Sequence, residues 1–123
     1  MIPAAIPSCI LIFDVEPDNR KRWKAALEGA GFRVVEAANR VDAIILLRDA
    51  ASGIDLLVTS VMNDCAGGQL ASDAVELRPA LRVILIAEAA YPVGIHDTIA
   101  ILLEPVSDSE LIGTVQALLP ELR

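Results

Sequence analysis

The chain has 123 residues, enough for one domain with a core of its own and too few for two. Hydrophobic residues make up 54% and aromatic ones only 3%, so the apolar material is aliphatic and disorder is excluded. The net charge of −7 argues against binding to nucleic acid or to an anionic membrane. Charge is also uneven: residues 1–50 are balanced, whereas the basic residues of 51–123 are only Arg78, Arg82 and Arg123.

Met1 to Pro7 reads as a short extended tail, because Pro3 and Pro7 interrupt it and no basic region precedes an apolar stretch. Cys9 to Phe13 is a continuous apolar run closing on Asp14, the form of a parallel strand buried on both faces. Pro17 opens a helix with Trp23, Ala26, Leu27 and Ala30 inward, and Gly29 and Gly31 end it. Its Arg20–Lys24 cluster reads as a solvated face, or as a dock for an acidic partner. Phe32 to Glu36 is a second strand. Asn39 caps a second helix whose apolar set is Val41, Ile44, Ile45 and Leu47.

Gly53 stops that helix, and Ile54 to Thr59 is the third strand. Ser60 to Gly68 reads as a loop, followed by a helix to about Leu77 that Pro79 breaks. Arg82–Ile86 and Ile99–Leu103 are the fourth and fifth strands. Ser107 and Glu110 have capping-box spacing, opening a last helix with Leu111, Val115, Leu118 and Leu122 on one face. Two cysteines, Cys9 and Cys65, make no disulfide framework or metal-ligand pattern, so a reduced cytoplasmic protein is expected. His96 stands beside Asp97 with no nucleophile or second ligand, and no constellation here points to an enzyme.

Strand and helix alternate, which predicts an α/β fold with a doubly wound five-stranded parallel sheet, residues 8–123 forming a single domain. In such sheets a site lies outside the carboxyl ends of the strands. Those ends carry Asp14 to Glu16, Thr59 to Asp64, Ala87 with Glu88, and Glu104 with Pro105.

These strand ends, in this order, resemble a response-regulator receiver domain of two-component signalling, from about Ser8 to Leu119. The similarity rests on Ile10–Asp18, on Asp55–Gly68, on Val83–Ala87 and on Leu102–Val106. It implies a flavodoxin-like (βα)₅ receiver fold. The family's chemistry uses a phosphoacceptor Asp on the third strand, an acidic pair that holds Mg²⁺, a Thr or Ser on the fourth strand and a Lys on the fifth.

Position by position, this sequence departs from that pattern. Ser60 stands at the phosphoacceptor, Val15 at the second acid, Ala87 at the hydroxyl and Glu104 at the Lys. The resemblance thus implies a degenerate pocket of Asp14, Val15, Glu16, Ser60, Ala87 and Glu104, with Asp64 nearby and no catalytic residue. No cofactor is expected; Asp14 and Glu16 are the weak candidates left to hold Mg²⁺.

The span from Ala87 to Glu104 is shorter than the family's by more than one helical turn, and Pro92 and Gly94 lie within it. A shortened fourth helix is therefore expected, with Ile101, Val106 and Leu111 on an altered partner face. The sequence implies a pseudo-receiver of bacterial type, a phosphorylation-independent interaction module with a protein partner or a second copy of itself. The alternative is a sensor binding a divalent cation or small ligand among Asp14, Glu16 and Glu104. No output domain is expected past the last helix.

Overall fold

A run of five apolar residues without alternation can satisfy its backbone and bury both faces only inside a sheet. In the computed structural model, which describes residues 8–14, 16–49, 53–61, 66–87 and 99–119, Cys9–Phe13 is that central strand, β1, buried at every position. The elements that follow are α1 (Pro17–Gly29), β2 (Arg33–Ala37), α2 (Arg40–Arg48), β3 (Ile54–Val61), α3 (Ala66–Leu77), β4 (Arg82–Ala87), β5 (Ile99–Leu103) and α4 (Asp108–Leu118). All strand pairs are parallel, in the order β2-β1-β3-β4-β5. Among the described residues no helix is long and apolar enough to cross a membrane.

Alternate side chains of the sheet feed two apolar layers. Leu11, Phe13, Leu57, Val83 and Leu85 pack with Ala43 and Leu47 of α2 and with Leu70, Ala71 and Ala74 of α3. Ile10, Ile12, Val58, Ile84 and Ile86 pack with Trp23 and Leu27 of α1 and with Leu111 and Val115 of α4. Each large aliphatic side chain so buried stabilises the fold by roughly 1.5–3 kcal/mol. A β-bulge at the start of β3 sets the phase. Cys9 pairs with Ile54 but Ile10 with Leu56, so Asp55 is the extra residue. Its carboxylate accepts the Cys9 N–H at 3.0 Å.

Glycine is required where the chain leaves α1. Gly31 has φ 98°, and the next amide, Phe32 N–H, turns back to the Leu27 carbonyl at 3.1 Å. Asn39 caps α2 as expected, its side chain accepting the Asp42 N–H, and Ser107 caps α4 by accepting the Glu110 N–H at 3.0 Å.

The structure corrects several expectations. β2 begins at Arg33 and reaches Ala37, β3 runs two residues past Thr59, and β4 extends to Ala87. Ser60 is therefore a strand residue rather than a loop residue. On α2 the inward residues are Ala43 and Leu47, while Val41 and Ile45 are 67% and 60% exposed. Both lie two residues from the inward pair, about 200° around a helix.

Val106 and Leu111 do not form a partner face: both are buried in the layer beneath α1. On β5 Ile101 and Leu103 are exposed. The tail 1–7, Val15, Asp64, Cys65, the shortened helix expected within 88–98, His96 and Leu122 lie outside the described residues.

Candidate functional site

Parallel register brings the strand ends level. Phe13 pairs with Thr59, Val61 with Ala87, and Ala87 with Leu103, so Asp14, Ser60, Ala87 and Glu104 share the carboxyl rim of the sheet. Asp14 is 1% exposed and Ser60 6%. A buried carboxylate needs donors for its oxygens, and Asp14 has one for each. The Glu16 backbone N–H donates to Oδ1 at 2.9 Å, and the Ser60 hydroxyl donates to Oδ2 at 2.8 Å.

The nearest guanidinium does not neutralise that carboxylate. Arg20 donates to the Asp14 backbone carbonyl, and its Nε lies 3.4 Å from Glu36 on β2. Lys24 reaches the other oxygen of Glu36 at 3.6 Å. The Arg20–Lys24 cluster is thus not simply a solvated face, because part of it ties α1 to an edge strand.

Chemically, Ser60 differs from the acid that the resemblance places there. Two carboxylates face each other as acceptors and need a proton or a cation between them. A hydroxyl supplies its own proton, so the Ser60–Asp14 pair is complete without either. Among the described residues each Asp14 oxygen accepts one protein donor, and one of the two donors is the hydroxyl at the phosphoacceptor position.

Ala87 is buried and its methyl offers no hydrogen bond; its carbonyl accepts the Glu104 N–H at 2.8 Å. That bond fixes the Glu104 backbone at the rim, just before a cis Glu104–Pro105 peptide bond. The Glu104 side chain is exposed. It lines a groove of about 390 Å³ with Asn19, Arg22, Trp23, Pro105 and Val106. The expected acidic pocket of Asp14, Glu16 and Glu104 is not assembled. Among the described residues no three His, Cys, Asp or Glu side chains come together as a cation-holding group. The cause is solvation: Glu16 and Glu104 stay in water, while Asp14 alone is buried with its donors.

Within the Arg20–Lys24 cluster, the contacts of Arg22 were not readable from the sequence. Its guanidinium donates to the Val106 carbonyl at 2.9 Å and its Nε lies 3.4 Å from Asp108. It also lies 4.4 Å from the centroid of the neighbouring Trp23 ring. These contacts join α1 to the connection between β5 and α4. The Val106 bond spans 84 positions of sequence, and no local pattern signals it.

No protein-family model matches the sequence, and a search of curated proteins returns no match. Solved structures do match. A response regulator receiver protein from Sinorhizobium medicae WSM419 is similar with a TM-score of 0.81 at 28% identity, over 95% of this chain and 98% of that one. The receiver domain of the hybrid histidine kinase CckA is similar with a TM-score of 0.76 at 26% identity, over 91% and 99%. A CheY-like receiver domain protein from Methanospirillum hungatei JF-1 gives 0.77 at 21% identity, over 95% and 97%. The chain has the fold of a response-regulator receiver domain, with five parallel strands in one sheet and helices on both faces. Its structural neighbours are receivers of two-component signalling.

Proposed function

We propose that this chain is a pseudo-receiver, a phosphorylation-independent protein-interaction module of a two-component pathway of bacterial type. It acts in the cytoplasm by binding rather than by catalysis, and without a metal cofactor. The observation that carries the reading is the 2.8 Å hydrogen bond from the Ser60 hydroxyl to the Asp14 carboxylate. It fills the phosphoacceptor position with a buried donor that has no carboxylate to phosphorylate. Ala87 and Glu104 support the same reading, since a methyl cannot hydrogen-bond a phosphoryl group and an exposed carboxylate repels one.

Signal then passes through surface recognition that does not wait for a covalent change. Incubation with acetyl phosphate and Mg²⁺, followed by intact-mass spectrometry, tests this. The expected result is no phosphoryl adduct, while a receiver carrying an Asp at this position is labelled in parallel. An adduct on any Asp or Ser would sink the reading.

A further inference from the structure

The groove lined by Glu104 holds two charged residues, and they differ in what they have left to offer. Arg22 is committed to the Val106 carbonyl and to Asp108, and its guanidinium lies against Trp23. Glu104 forms no side-chain hydrogen bond or ion pair among the described residues. The groove therefore presents an exposed carboxylate that is not among the partners of Arg22, beside the apolar ring of Pro105. Trp23 and Val106 are almost fully buried there, and Pro105 is exposed at the rim.

That combination matches one kind of side chain. Lysine and arginine carry a long aliphatic stem that packs on apolar surface and a charged head that stays wet. Pro105 is the exposed apolar surface next to Glu104 in the chain, so a stem laid along it keeps its head near that carboxylate. The whole molecule adds to this, because a net charge of −7 draws cationic partners toward it and repels a second copy of itself.

We propose that the groove between α1 and the β5–α4 connection docks a cationic segment of a protein partner, with Glu104 as its anionic anchor. The inference rests on the interaction-module reading and adds the chemistry of the partner. The resemblance puts a Lys at position 104; with Glu there, the charge this rim offers a partner is reversed.

The test is an amide NMR titration of the full chain with a lysine-rich peptide and with a glutamate-rich peptide of equal length. The lysine-rich peptide is expected to shift Asn19, Arg22, Trp23 and Val106, with affinity falling as salt rises. Glu104→Lys should weaken binding about tenfold, the scale of reversing one rim charge. Glu104→Gln should weaken it less. Glu76→Lys makes the same change in net charge on α3, across the sheet, and should leave the groove's affinity within about twofold.

Equal weakening by Glu104→Lys and Glu76→Lys would overturn the proposal, as would equal binding of the glutamate-rich peptide or shifts confined to another face. Concentration-dependent self-association abolished by Glu104→Lys would also overturn it, by naming a second copy as the occupant. If no peptide binds while acetyl phosphate still leaves no adduct, the docking inference fails and the phosphorylation-independent reading stands. A phosphoryl adduct would instead remove that reading itself.

Discussion

A carboxylate at the end of a buried strand is stable only with donors on its oxygens, and for Asp14 one of the two is a side chain that can be exchanged. Ser60→Ala removes the hydroxyl and leaves Oδ2 without that donor, which should cost about 1–3 kcal/mol in urea denaturation. Ser60→Asp makes the sharper test. It sets a second carboxylate against a buried one, so the variant should be less stable than wild type in EDTA and should regain stability with millimolar Mg²⁺. Wild type should show no such Mg²⁺ response in its melting temperature, because its donor is already covalently present. A wild-type rise matching that of Ser60→Asp would show that the hydroxyl does not stand in for a cation.

At the scale of elements, α2 shows both how far sequence pattern reaches and where it stops. Its cap at Asn39 was legible because the signal is local, a side chain reaching an amide three residues on. Its phase was not. Hydropathy favours Val41 and Ile45 over Ala43, but α2 lies against both β1 and α3, where the small Ala43 lets the helix sit close. Ile45→Lys should therefore change stability by less than about 0.5 kcal/mol, whereas Leu47→Ala should cost about 2–5 kcal/mol. Chemical denaturation of the two variants checks this. A large loss in Ile45→Lys would return Val41 and Ile45 to the core.

β1 and β5 were legible to the residue, since uninterrupted apolar runs between polar breaks leave little choice of boundary. β3 was legible at its start but not at its end, because only the long-range bond of Ser60 to Asp14 shows that this polar residue is interior. The same limit explains the partner face. Val106 and Leu111 are apolar residues near the β5–α4 connection, and only the packing of α1 over them shows that they are interior.

For the whole molecule, the resemblance located the site, and the structure supplied its chemistry. Residues at the ends of four strands were readable as neighbours because parallel order places all carboxyl ends on one rim. The direction of the Ser60 hydroxyl and the separation of Glu104 from Asp14 were not readable, as both depend on side chains 46 or more positions apart. The chain has a receiver fold in which the buried Asp14 carboxylate accepts the Glu16 N–H and the Ser60 hydroxyl, while the Glu104 side chain is exposed at the rim.

An amide NMR spectrum recorded with Mg²⁺ alone, and then with Mg²⁺ and beryllofluoride as a phosphoryl mimic, tests that account most directly. The account predicts that Asp14, Glu16, Ser60, Ala87 and Glu104 keep their resonances in both additions. Saturable shifts at Asp14 and Ser60 on adding beryllofluoride would contradict it, because they would show a pocket still open to a phosphoryl group.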